Sequence, residues 1–219
     1  MFNFNTTTGE IFLYDAIGPE WYGMIGTESL QNALSEIEGR VTLRINSPGG
    51  AVDEAIAMYG MLERHPGGVD VVIDSLAASA ASFLSLVGET VTIAKGGAIM
   101  IHSPLMMFVA GNAKELRKTA DLLDTYQARV VGYYADRMGI TADEVNAIMD
   151  EETWYTAEEA IAAKIADSID GEAIEPAKVG ASMFRNTPKE LVSDIVAGDR
   201  TPYPVARELA RLRHHRKKK

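Results

Sequence analysis

A chain of 219 residues with 47% hydrophobic and 24% charged side chains suits one globular domain of ordinary size plus an appended segment, and excludes a disordered or fibrous protein. It contains no cysteine, which excludes disulfides, thiolate metal sites and cysteine nucleophiles and leaves serine chemistry open. The net charge of −10 is unevenly spread: residues 201–219 hold seven basic side chains (Arg207, Arg211, Arg213, Arg216, Lys217, Lys218 and Lys219) against Glu208, a net +6, so residues 1–200 carry −16.

In chain order, residues 10–17 alternate well enough to form a strand, and Thr27 to Glu38 places Leu30, Ala33, Leu34 and Ile37 at helical spacing. Val41 to Asn46 is a second strand, stopped by Ser47-Pro48-Gly49-Gly50, after which Ala51 to Arg64 reads as an amphipathic helix ended by His65-Pro66-Gly67-Gly68. A third strand, Val69 to Ile73, leads through the small-residue run Asp74 to Phe83 into an apolar helix. Short strands are predicted at Thr90 to Ala94 and Ala98 to Ile101, with Lys95-Gly96-Gly97 as the turn between them. Strands alternating with helices indicate a parallel α/β sheet.

Beyond His102 the pattern becomes helical. Asn112 to Met138 carries Leu116, Ala120, Leu123, Tyr126, Val130 and Tyr133 on one side, and the capping boxes Thr141-Ala-Asp-Glu144 and Thr156-Ala-Glu-Glu159 open two further helices. Ile165 to Ile169 returns as an extended piece, and the compact domain is expected to span residues 1–170. Residues 171–219 are then an extension: a linker over 171–186, a short helix at Thr187-Pro188-Lys189-Glu190, and a helix from Pro204 dissolving into the basic tail. That tail, 207–219, suits nucleic acid or an acidic protein surface. Met1 to Asn5 lacks the basic and apolar regions of a signal peptide, and the longest apolar stretch, Leu76 to Val87, holds three serines and is too short to span a bilayer, so a cytoplasmic protein without a membrane partner is expected.

Four places carry chemistry together. Asn46 to Gly50 follows a strand and precedes a helix, so its glycine backbone can lie against a bound group and point N–H donors at it. Ser79 sits at a strand-to-helix junction, where free N–H groups and a helix dipole favour developing negative charge, although Ala/Ser runs also serve close packing. His102, in Met100-Ile101-His102-Ser103-Pro104, closes a strand and is the well-placed base among four histidines. Asp150, Glu151 and Glu152 precede Thr153-Trp154-Tyr155 and can supply an acid that orients a histidine. No metal constellation and no glycine-rich phosphate loop accompanies them.

Asn46-Ser-Pro-Gly-Gly50, Ala77-Ala78-Ser79-Ala80, Met100-Ile-His102-Ser-Pro104 and Thr153-Trp-Tyr-Thr-Ala-Glu-Glu-Ala160, ending in Ala166-Asp167-Ser168, resemble in order and spacing the ClpP serine protease family across residues 10–170. Within that family the chain is most similar to the proteases encoded by tailed phages that cut scaffold and capsid proteins during head maturation, with host-type ClpP next. The resemblance implies a ClpP/crotonase-type α/β fold of βαβ units with a protruding helical handle at 112–138, ring-type homo-oligomers and no cofactor. It implies Ser79 as nucleophile, His102 as base, and the backbone N–H groups of Gly50 and Ala80 as oxyanion donors. The family aspartate falls on Glu152, with Asp150 as the alternative if the loop register shifts.

The short stretch before the first strand leaves little room for the axial loops with which host ClpP meets its ATPase, so an ATP-independent endopeptidase of the host cytoplasm or assembling procapsid is expected, with phage scaffold and capsid proteins as substrates. Rival readings are a host-type proteolytic subunit working with an ATPase, a crotonase-fold acyl-CoA enzyme, and a catalytically silent assembly component. A Ser–Lys peptidase is disfavoured by the absence of a membrane segment.

Overall fold

The computed structural model describes residues 3–106, 109–171, 179–180 and 184–193. In order these form β1 (Asn3–Asn5), β2 (Glu10–Leu13), a 3-10 turn (Glu20–Tyr22), α1 (Thr27–Ser35), β3 (Val41–Ser47), α2 (Val52–Glu63), β4 (Val69–Ala78) and α3 (Ala80–Ser85). There follow β5 (Thr90–Ala94), β6 (Ala98–Ile101), α4 (Ala113–Met138), α5 (Ala142–Asp150), β7 (Thr153–Thr156), α6 (Ala157–Ala162) and β8 (Ser168–Asp170). The C-terminal extension contributes β9 (Val179–Gly180), a 3-10 turn (Lys189–Leu191) and β10 (Val192–Ser193). The helix expected from Pro204 lies outside the described residues, as does the basic tail.

The main sheet runs β1-β2-β3-β4-β5-β8, with β6 pairing both β4 and β7. Its first and last pairings, β1 with β2 and β6 with β7, are antiparallel, and β2 to β6 and β8 otherwise pair in parallel. This is the α/β architecture that the alternation of strands and helices predicts, with the expected parallel pairing broken at β1–β2 and β6–β7.

Along β2, β3 and the first half of β4, every second side chain is buried, so Ile11, Leu13, Leu43, Ile45, Val71 and Ile73 face a single core shared with α1 to α6. The opposite face is polar, carrying Arg44 between Glu10 and Asp74 and Arg40 between Asp70 and Glu89. Burial of one face only is what a period-2 pattern dictates.

Strand β4 does not end at Ile73. It continues five residues further because Leu76, Ala77 and Ala78 pair with Ala98, Ile99 and Met100 of β6, and Ala77 also pairs with Ser47 after a register shift in which β4 carries the extra residues. The Lys95 turn therefore reverses nothing: β5 lies beside the first half of β4 and β6 beside the second, both parallel to it. In that second half both faces are covered, one by the helices and the other by a small cluster in which Leu76, Ala78, Ala98 and Met100 meet Trp154, Phe184 and Leu191. Small residues are needed where a strand is packed from both sides.

Helix α4 starts from a capping box between Asn112 and Glu115, and its buried residues, Val130, Val131, Tyr134 and Met138, all lie in its C-terminal half. Leu116 and Leu122 in its first half are exposed, so that part of the apolar stripe protrudes from the body. The segment after the acid cluster, between the helices opened by Thr141 and Thr156, is strand β7, paired with β6.

Candidate active site

Ser79 is set by the end of β4. Its N–H donates to the carbonyl of Met100 at 2.9 Å, continuing the β4–β6 pairing by one residue, and its own carbonyl accepts from Ser82 and Phe83 to open α3. To change from strand to helix within one residue, Ser79 adopts φ 54° and ψ −127°. A side chain at such a φ stores strain of order 1–3 kcal/mol, tolerated only where the surroundings fix it. The result is a hydroxyl aimed out of the turn. Ser82 and Ser85 instead donate to carbonyls of their own helix, Ser82 Oγ also lying 2.7 Å from the Tyr134 hydroxyl, and both are buried packing residues.

His102 follows β6, the neighbour of β4, and its Nε2 lies 2.7 Å from Ser79 Oγ. On the other side of the serine stands the glycine loop. Gly49 has φ 88°, and a Cβ there would come within 2.5 Å of the Ala78 carbonyl and 2.8 Å of the Ala80 nitrogen. At Gly50, φ 150°, a Cβ would collide with the Ile17 carbonyl at 1.9 Å. Only glycine lets the loop lie on the serine turn. Ile17 bonds Gly49 and Ala51 around Gly50, so among the described residues the N–H groups of Gly50 and Ala80 are bonded to nothing and remain available as donors. Buried Ser47 fixes the loop, donating to the Asp15 carbonyl at 2.7 Å and accepting from Gly49 N–H at 3.1 Å. Sequence reasoning passed over Ser47, although a serine immediately before Pro-Gly-Gly is a turn signal.

The two candidate acids are placed very differently. Asp150 is exposed, and its Oδ1 accepts from Ser103 Oγ at 2.8 Å. Glu152 is only 3% exposed and has φ 52°, which turns its carboxylate inward. That carboxylate accepts from the backbone N–H of Arg185 at 2.9 Å, of Asn186 at 2.5 Å and, weakly, from Trp154 Nε1 at 3.4 Å. No hydrogen bond or ion pair within 4 Å joins it to His102 among the described residues. Burial works to raise the Glu152 pKa, but the N–H donors of Asn186 and Arg185 outweigh it and hold the carboxyl below its ordinary value. His102 is pushed below the usual imidazole value, chiefly by burial, with the nearby Arg185 charge adding to the effect and the Glu152 charge opposing it.

Phe184, Arg185 and Asn186, read from the sequence as the end of a linker, thus belong to the site. The Phe184 ring meets both His102 and Trp154 edge to face at 5.7 Å, Arg185 Nη2 donates to the Asp150 carbonyl, and Asn186 Nδ2 donates to the Glu151 carbonyl. Nothing local in the sequence marks this docking. Beside Ser79 and His102 opens a small apolar cleft of about 30 Å³ lined by Val52, Ala55, Phe83, Val130, Tyr134 and Met149. Among the described residues no cluster of His, Asp or Glu could hold a metal, and no helix is long and apolar enough to cross a membrane.

Comparison with known proteins identifies a family. The family model described as Clp protease matches residues 4–172. The chain is 29% identical over 153 residues to the ATP-dependent Clp protease proteolytic subunit 1 of Leifsonia xyli, covering 69% of this chain and 77% of that one. It is 30% identical over 162 residues to the protein of that name from Protochlamydia amoebophila (73% and 79% covered), and 30% identical over 156 residues to proteolytic subunit 2 of Thermobifida fusca (69% and 75%). A match over most of the chain, with a serine and a histidine in contact at a strained strand-to-helix turn, places this protein in the Clp protease family of serine endopeptidases.

Proposed function

We propose that the chain cleaves peptide bonds by acyl transfer with Ser79 as nucleophile, His102 as general base and acid, and Glu152 as the acid behind the histidine. Ser79 Oγ attacks the carbonyl carbon as its proton passes to His102 Nε2; the same proton then goes to the leaving amine as the C–N bond breaks, and water repeats the sequence on the acyl-enzyme. Gly50 and Ala80 N–H stabilise the oxyanion. The apolar cleft beside the serine suits an apolar side chain next to the scissile bond. The observation that carries this reading is the 2.7 Å contact between Ser79 Oγ and His102 Nε2. Residues 1–170 are the protease domain in this reading and 171–219 an extension to it.

A fluorophosphonate probe followed by mass spectrometry tests the assignment. Label is expected on Ser79 alone, and turnover is expected to fall on the order of 10⁴- to 10⁶-fold in Ser79→Ala. Label on Ser82 or Ser85, or none, would overturn it.

For the biological substrate, we propose phage scaffold and capsid proteins cut without ATP during head maturation, in a homo-oligomeric ring whose contacts use the protruding half of α4. This finer reading is supported by the resemblance of the motifs to phage-encoded members, by the opposite charges of body and basic tail, and by the exposed Leu116 and Leu122. A specific observation favours a second reading: the relatives compared above are named proteolytic subunits of ATP-dependent proteases. Digestion of purified scaffold protein without nucleotide, beside digestion of a folded reference substrate with and without a Clp ATPase and ATP, separates the two. Cleavage that requires the ATPase favours the proteolytic subunit. Deleting 201–219 is expected to reduce packaging into procapsids, and unchanged packaging would remove the tail from the proposal.

A further inference from the structure

We infer that residues Phe184 to Asn186 form an autoinhibitory latch, which occupies the carboxylate of Glu152 and so withholds it from His102. The inference rests on the triad reading above and adds to it a regulatory state.

Three observations point the same way. First, a carboxylate that supports a catalytic histidine must offer an oxygen to the imidazole N–H remote from the serine. Each oxygen of Glu152 instead accepts from the extension, Oε2 from the Arg185 N–H and Oε1 from the Asn186 N–H, with the Arg185 Nε 3.7 Å from Oε2, and this pull holds the carboxylate out of hydrogen-bond contact with His102. His102 keeps its contact with Ser79 and has none with Glu152, so the dyad is formed and the third member is engaged elsewhere. Second, the latch brings a positive charge near His102, and a neighbouring cation disfavours the imidazolium that must form as Ser79 attacks. Third, the Phe184 edge lies on the His102 ring and helps to remove it from water, which acts against the same charged form. Glu152, Arg185 and Ser79 are the polar groups that act on His102, from the turn between α5 and β7, from the extension and from the turn between β4 and α3.

The latch is anchored independently of the contacts it makes to Glu152. Leu191 is buried among Leu76, Ala78, Ala98 and Met100 on the far face of β4 and β6, and β9 pairs with β10 on either side of the latch residues. Asn186 Nδ2 and Arg185 Nη2 add bonds to the carbonyls of Glu151 and Asp150. The turn between α5 and β7 that presents the acid thus also holds the segment that engages it. When the segment leaves, the carboxylate loses both backbone donors at once and is free to turn toward His102, whose charge it already senses.

The test uses the full chain. Asn186→Pro removes the 2.5 Å N–H donor, Arg185→Ala keeps its N–H and removes the guanidinium, and Leu191→Ala loosens the anchor without touching the site. Two quantities are read: the second-order rate of fluorophosphonate labelling at Ser79, and the titration of His102 by NMR with labelled histidine. The latch predicts labelling several-fold faster in Asn186→Pro and Leu191→Ala, a smaller gain in Arg185→Ala, and a His102 pKa that rises in all three. Slower or unchanged labelling with an unmoved His102 titration would overturn it and make the segment a support for the acid. If the unaltered chain takes no label while the His102 titration still rises in Asn186→Pro, the latch contact stands and the protease assignment falls.

Discussion

His102 shows how a single side chain reports on everything packed against it. Burial and the Arg185 charge lower its pKa and together outweigh the attraction of Glu152, so the neutral form that can accept a proton persists to lower pH than in a free imidazole. We expect kcat/KM to rise with pH through an inflection below about 6.5 and to stay level above it. In Arg185→Ala one of the two depressing influences is gone, and the inflection is expected to move to higher pH. The acids are separable by the same measurement of kcat: Glu152→Gln is expected to lose on the order of 10³- to 10⁴-fold, as when a triad acid can no longer fix the tautomer, whereas Asp150→Asn, exposed and bonded to Ser103, should change little. Ser79→Gly separates strain from chemistry, since glycine accepts φ 54° freely; it should be inactive yet melt at a higher temperature than Ser79→Ala. The resemblance put the acid on Glu152 with Asp150 as the alternative, and of the two it is Glu152 that is buried. Its hold by Arg185 and Asn186, more than thirty residues on, was not, because no local pattern records a backbone N–H docking on a distant carboxylate.

At the scale of elements, the glycine loop and β4 act as one piece. Ser47 ties the loop to the Asp15 carbonyl from inside the core, so Ser47→Ala leaves that carbonyl and the Gly49 N–H without partners. The loss is expected to cost about 1–3 kcal/mol in thermal or denaturant unfolding. Steady-state kinetics should show kcat falling more than KM rises, since the proposed oxyanion donor at Gly50 would matter most when charge develops. Helix starts were readable wherever their signal is local: Thr141 and Thr156 each carry the full capping box that the sequence spells. Asn112 caps α4 in the same way, with Glu115 returning the bond, and Asn112→Ala is expected to cost about 1 kcal/mol in the same unfolding measurement. The end of β4 was misplaced for the opposite reason. Asp74 and Ser75 look like the close of a strand, and only pairing with β6, more than twenty residues away in sequence, carries it on to Ala78.

For the molecule as a whole, the decisive feature is a sheet with one apolar and one ionic face. The alternation in β2, β3 and β4 made that division legible, while the partners of each charge depend on which strands become neighbours. Asp70 is the clearest case: hydrogen bonds from the Arg40 guanidinium, and then from Thr90, hold its carboxyl down at about 2. A carboxyl lowered in the folded state stabilises it above the ordinary pKa near 4, and the contribution fades as pH falls toward 2. Because the pair is partly exposed, Asp70→Asn is expected to cost less than about 1 kcal/mol at pH 7 and nothing near pH 2, checked by urea unfolding at both. The contact between the Ser79 amide and the Met100 carbonyl has one more consequence. It lies inside the strand pairing of the core, whereas the Arg185 and Asn186 amides hang on a segment held by Leu191 and a few surface bonds. Deuterium uptake should therefore run on two clocks, the Ser79 amide exchanging only when the whole sheet opens and the amides that grip Glu152 exchanging far sooner. The proposed nucleophile is built into the paired core of the sheet, and the proposed acid answers to a segment that is held far less firmly.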